Sequence, residues 1–151
     1  MRRLRQLRSL SPREIATATH ALVVMTAVEG LVRVVRLPRV ARVLGVPLSL
    51  DAVEQTEFDP ATVLTLPLRT RRQLWAADRV AVRWPFSEGP CLRRALVGGH
   101  LIRRHGPMIR LGVDTTADGP LGHAWLEIDG APLEDIADLT TFTRPTRSDD
   151  R

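Results

Sequence analysis

The chain contains no lysine and no tyrosine, and only 4% of it is aromatic, three Trp and three Phe. Its 22 Lys+Arg positions are therefore all arginine, a bias that reads as codon usage. Without tyrosine, basic–aromatic interleaving or any RNA- or DNA-binding motif, nucleic acid is not an expected partner. The single cysteine, Cys91, excludes an internal disulfide and a cysteine-based metal cluster. Neither a metal nor an organic cofactor is expected. The longest uncharged apolar run, between Glu14 and Glu29, has 14 residues and includes three threonines and His20. A membrane span needs roughly 18–20, and no small-residue cleavage site follows the run. The expectation is a cytoplasmic protein without an integral membrane span.

What is present suits one domain with its own core: 151 residues, 44% hydrophobic and 26% charged. Charge is divided unevenly. Residues 1–50 carry nine Arg against Glu14 and Glu29, a net of +7, whereas residues 51–151 carry 13 Arg against 15 acids, a net of −2. The high pI of about 11.2 thus belongs to the N-terminal third. Such a segment suits an anionic lipid or an acidic peptide.

Ser11-Pro12-Arg13-Glu14 has the form of a helix start, with a capping serine, a proline at the first helical position and a glutamate to close a capping box. The helix is expected to run to about Arg36, ahead of Pro38. Gly45, Pro47 and Asp59-Pro60 punctuate the next stretch, and a second helix is expected over Leu68–Val82. Trp84 to Pro90 reads as a loop. A third helix opens with Cys91 and runs to about Arg104, its apolar stripe formed by Leu92, Ala95, Leu96, Gly99 and Ile102. Gly98-Gly99 inside it costs roughly 1 kcal/mol per glycine, which points to close packing on a sheet. After Pro107 the apolar period becomes two. Strands are expected over Met108–Val113, His123–Ile128 and Ala131–Ile136, with Asp114–Gly122 a loop and Asp129-Gly130 a hairpin turn.

The position of Cys91 is chemically suggestive. A lone cysteine is more often a small buried hydrophobe than a nucleophile, but a structural one belongs on the apolar stripe, not at the helix end. At a helix N-terminus the unpaired N–H groups and the dipole favour negative charge, as a thiolate needs. Four histidines compete for the base. His20 lies in the apolar first helix. His100 stands nine residues from Cys91, about 13 Å along the axis at ~1.5 Å per residue, and His105 is further still. His123, leading a strand packed beside the third helix, can reach its N-terminus. A third group must orient the imidazole. With a two-residue Asp129-Gly130 loop, His123 faces Ile136 and Glu134 shares its face diagonally. With a three-residue loop and Gly130 as a bulge, His123 lies opposite Asp135. The residues themselves leave Asp135 and Glu134 both open.

Cys91-Leu92-Arg93-Arg94-Ala95-Leu96, His123-Ala124-Trp125-Leu126-Glu127-Ile128-Asp129-Gly130 and Glu134-Asp135 together resemble the lasso peptide B2 protein family, leader peptidases related to transglutaminase-like cysteine peptidases. The match is firm over about Pro90 to Asp135, roughly a third of the chain. The resemblance implies an α+β fold with a transglutaminase-like or papain-like core, in which a Cys-led helix packs on a small antiparallel sheet behind an all-helical N-terminal region. It implies a Cys91–His123–Asp135 triad and, with Asp135, the bulged register. It further implies removal of the leader from a ribosomally made precursor peptide. The partners are then the precursor and a separate leader-recognition protein, for which the chain has no obvious room of its own. The macrolactam synthetase is a further candidate.

Three segments are expected: a helical region over 1–83 that docks partners, a catalytic core over 84–142 and a frayed tail over 143–151. Trp84, Phe86 and Trp125 are candidate substrate-binding residues. Core packing is the simpler explanation of Trp125, and loop anchoring explains Trp84 and Phe86 equally well. Two rival functions keep the fold: a transglutaminase-like acyltransferase, in which an amine replaces water, and a non-catalytic peptide-binding scaffold with a structural Cys91. A basic membrane-surface or nucleic-acid module is a third, and it leaves the Cys–His–Asp spacing without a role.

Overall fold

The computed structural model describes residues 11–49, 57–86, 89–116, 119–135 and 139–141, without the side chains of 114–116, 119 and 139–141. The first ten residues, Ile136 and the tail over 143–151 lie outside the described residues.

Helix α1 spans Pro12–Val34 and begins as its sequence dictates. The Ser11 hydroxyl accepts from the Glu14 N–H, and the Glu14 carboxylate accepts from the Ser11 N–H at 2.7 Å. The helix ends two residues earlier than expected, and a second helix, α2, follows over Leu37–Val43. Pro38 is the reason. In a continuous helix its ring would clash with the carbonyl four residues back, whereas in the first turn of a new helix its missing N–H costs nothing. A further short helix, α3 (Pro60–Thr65), forms where only punctuation was expected, because the Asp59 carboxylate caps it by accepting from Ala61 N–H at 2.9 Å. Helix α4 covers Leu68–Val82, as its periodicity predicts. Helix α5 covers Pro90–Leu101 and passes through a short 3₁₀ turn, Arg103–His105, to Gly106 in the left-handed region. His105 is held there by a 3.0 Å hydrogen bond between its Nε2 and the Thr70 hydroxyl.

By length and composition α1 is apolar enough to cross a membrane. In this structure one face of it packs into the core, while Ile15, Leu22, Val23 and Val34 are exposed and 28% of its apolar window is buried. Ala21, Val24, Met25 and Val28 are buried against the other helices. One core joins these residues to Ala76, Ala77 and Ala81 of α4, to Ala95, Leu96 and Val97 of α5, and to Ala124 and Leu126 of the sheet. Residues on both sides of position 84 therefore share a single interior.

The sheet has four strands in the order β3-β2-β1-β4, with β1 Met108–Thr116, β2 Gly119–Ile128, β3 Ala131–Pro132 and β4 Leu139–Thr141. It differs from the expected three strands in three respects. The β1–β2 hairpin is longer, pairing out to Thr116↔Gly119. The β-branched Val113, Thr115 and Thr116 favour strand, so the expected loop over Asp114–Gly122 is mostly ladder, and His123 sits within β2, opposite Gly112. The third strand is only two residues, and a fourth, antiparallel to β1 on its other edge, was not expected from the sequence.

Helix α5 lies on β2 through its two glycines. A Cβ on Gly99 would stand 2.5 Å from Val46 Cγ1 and 3.1 Å from Leu126 Cδ2; one on Gly98 would stand 3.3 Å from Leu126 Cδ1. This is the close approach that Gly98-Gly99 predicted. Gly99→Ala should accordingly destabilise the fold by ~1–3 kcal/mol from overpacking, despite a helix-propensity gain of about 1 kcal/mol. Thermal or urea unfolding measures the difference, and an unchanged or raised stability would show that Val46 can move aside.

Candidate active site

Cys91 is half-buried in the first turn of α5, after Gly89 at the N-cap and Pro90 at the first helical position. Its N–H and those beside it have no partner within the helix. The helix runs in the direction of β2. From Cys91 to Gly98 it advances ~10.5 Å. From Gly122 to Leu126 the strand advances ~13 Å. With Gly98 against Leu126, Cys91 is brought to Gly122, and its Sγ lies 3.9 Å from the Gly122 carbonyl oxygen. The next residue is His123. The structure thus joins the helix-leading cysteine to the strand carrying the histidine, and ties two other histidines elsewhere: His100 Nδ1 to the Leu44 carbonyl at 2.9 Å, His105 to Thr70.

The Asp129-Gly130 hairpin adopts the two-residue form. Both residues have positive φ, +51° and +80°, and Ile128 pairs with Ala131 and Glu127 with Pro132. Such a turn follows the natural twist of the strands. The bulged register implied by the resemblance, with Asp135 directly opposite His123, is therefore not formed. Nor does β3 continue far enough to use the alternative. Leu133 N–H donates to the Leu126 carbonyl at 2.9 Å, and the chain then leaves the ladder. Glu134 reaches the site from this bend. Its Oε1 lies 3.8 Å from His123 Nε2, while its other oxygen accepts a hydrogen bond from Arg94 on α5. Arg94 also faces Asp78 of α4, 3.7 Å away. Asp135, the next residue along, is exposed.

By strand alternation His123, Trp125 and Glu127 share one face of β2. The Trp125 and His123 rings stack at 24°, centroids 6.3 Å apart. Trp125 is fully buried, and its indole N–H donates to Glu127 Oε1 at 3.0 Å. Glu127 in turn accepts from the buried Arg110 at 2.9 Å. Trp125 is thus placed behind the imidazole, fixing its plane, with no surface offered to a substrate. Trp84 is also engaged internally: its indole N–H donates to Glu29 at 3.0 Å, and its ring meets Phe86 edge-on. Phe86 is 61% exposed and is the one of the three aromatic candidates that faces solvent broadly.

Sequence reasoning missed the cluster that fixes the cysteine's helix. Glu29, 7% exposed within α1, accepts from Arg93 Nε at 2.6 Å, from Trp84 and from Arg33 Nε at 2.8 Å. Arg93 is two residues after Cys91, so α1 holds the first turn of α5 in place. A lone acid beside Val28 on the buried stripe of an apolar helix was the available signal. The Arg93 hydrogen bond first, then those of Trp84 and Arg33, hold the Glu29 carboxyl down to about 2 against the opposing effect of desolvation. A carboxyl whose folded pKa is depressed stabilises the fold fully above its ordinary value of 4.5 and loses that contribution as pH falls toward 2. Glu29→Gln should therefore melt below the wild type at pH 6, with the gap closing between about pH 4.5 and 2. A gap that is constant across that range would mean that Glu29 does not act through its charge.

Comparison with known families gives one match. Residues 27–147 match the model of the Transglutaminase-like superfamily, a span that takes in the C-terminal end of α1, all later elements, Cys91 and His123. No curated protein and no solved structure matches the chain.

Proposed function

We propose, from the premise that this chain belongs to the transglutaminase-like superfamily, that it is a cysteine peptidase cleaving a peptide amide. The superfamily is one of cysteine peptidases and acyltransferases, and the mixed helix and antiparallel-sheet fold is consistent with it. The observation that carries the reading is the contact of Cys91 Sγ with the carbonyl of Gly122, which sets the first turn of α5 against the residue preceding His123.

In this mechanism the Cys91 thiolate adds to the scissile carbonyl, and the imidazolium of His123 gives its proton to the departing amine as the C–N bond breaks. A thioester remains on Cys91. Water then adds to it, losing one proton to His123; the C–S bond breaks, the peptide leaves as a carboxylic acid that gives its proton to solvent, and the thiolate and imidazolium are restored. His123 Nε2 lies 3.8 Å from Glu134, beyond hydrogen-bond length; whichever ring nitrogen the orienting acid holds, the other serves the sulfur. Asp135 is the orienting acid by the resemblance. Glu134 is the second candidate, on its 3.8 Å approach to His123.

The resemblance of the Cys91, His123 and Asp135 segments to the lasso peptide B2 family implies the substrate, the leader of a ribosomally made lasso precursor presented by a separate recognition protein. Incubating the chain with precursor and recognition protein, with mass spectrometry of the products, tests this. Free leader with a new carboxylate supports hydrolysis. Capture of the thioester by added glycinamide, giving an amide in place of the carboxylate, would favour the acyltransferase. Intact precursor with the recognition protein demonstrably bound would favour the scaffold.

A further inference from the structure

A cleft of about 190 Å³ opens between α3, α4, α5 and the bend after β3, along α5 from Cys91. Its walls are apolar, with Val63, Leu74, Ala77, Ala95, Leu126 and Leu133, and Gly98 leaves its floor open. Its polar residues are Asp78, Arg94 and Glu134. The α5 residues lining it, Arg94, Ala95 and Gly98, stand three, four and seven positions after Cys91, on the same helical face. The cleft therefore starts ~4.5 Å and ends ~10.5 Å along the axis from the nucleophile. An extended peptide advances ~3.3–3.6 Å per residue, so a side chain one to three residues from the scissile carbonyl reaches it. Glu134 belongs both to this cleft and to the surroundings of His123.

We infer that this cleft is a specificity pocket taking one apolar side chain of the peptide, of leucine or phenylalanine size, within three residues of the scissile bond. The inference rests on the peptidase reading and names what that site selects. An apolar cavity of ~150 Å³ accommodates a benzene-sized group, so the volume suits one such side chain. The polar residues sharpen the choice. One guanidinium, Arg94, is shared between two carboxylates, Asp78 and Glu134. The cleft is net negative and already supplies the partner of its only cation, so it repels an acidic side chain.

The test uses the chain with its recognition protein and precursor peptides carrying Leu, Gly or Asp in turn at each of three positions on either side of the scissile bond. At one position, replacing Leu by Gly should lower kcat/KM about tenfold or more, and Asp should lower it further. Val63→Trp, which fills the cleft from α3, should bring Leu and Gly within about twofold of each other there. Leu133→Ala, which enlarges it from the opposite side, should shift the preference from Leu toward Phe. Each rate is divided by the iodoacetamide rate of Cys91 in the same preparation, so that a misfolded variant is recognised. Cleavage by the wild type at rates independent of all six positions, or a preference that survives both variants, overturns the pocket. Absence of cleavage of any precursor overturns the peptidase reading and the pocket with it.

Discussion

Cys91→Ala is expected to abolish leader release, lowering kcat/KM by at least ~10⁴-fold, and Cys91→Ser should be nearly as inactive because an alcohol is scarcely ionised at neutral pH. Cys91 is half-buried in the first turn of α5 and is not part of the buried core cluster, so alanine there leaves that core untouched. Both variants should unfold at the temperature of the wild type. His123→Ala should fall into the same range, and combining it with Cys91→Ala should lower the rate little further, since nucleophile and base act as one unit. Trapping offers a direct view: wild-type protein quenched in acid during turnover should carry the leader as a thioester on Cys91. Leader release that persists in Cys91→Ala would sink the cysteine mechanism, whatever the fold.

The second large effect separates the two acids. Asp135→Asn should lower kcat by ~10³–10⁴-fold with KM changed less than about threefold, the signature of an imidazole left without its orienting partner. Glu134→Gln should lower kcat only about tenfold. The physical ground is that Glu134 already answers Arg94 through one oxygen, and that its 3.8 Å separation from His123 Nε2 exceeds hydrogen-bond length. Its first task is to tie the bend after β3 to α5. The reverse order of losses would assign the orienting role to Glu134 and restrict the Asp135 spacing to a resemblance. Measuring unfolding of each variant alongside kcat and KM keeps a loss of fold from passing for a loss of chemistry.

The sequence by itself determined the local elements whose signals are short-range. Ser11, Pro12 and Glu14 begin α1, the period of Leu68–Val82 forms α4, Asp129-Gly130 turns the hairpin, and Gly98-Gly99 requires something to pack closely on α5. It also confined the search to one thiol, and to His123 among four histidines, because nine residues of helix separate Cys91 from His100. Tertiary structure decided what depends on partners distant in the chain. Pro38 splits a helix that periodicity carried further, since the clash is with a carbonyl four residues back. Strand β4 exists only through pairing with β1 some thirty residues earlier, a contact that no local pattern encodes. The acid nearest His123 depends on where β3 stops, which is set by a two-residue turn and a bend, not by residue spacing. And Glu29, unremarkable in a sequence of 17 acids, clamps the helix of Cys91 because folding brings Arg93 and Trp84 from more than fifty residues away to one buried carboxylate.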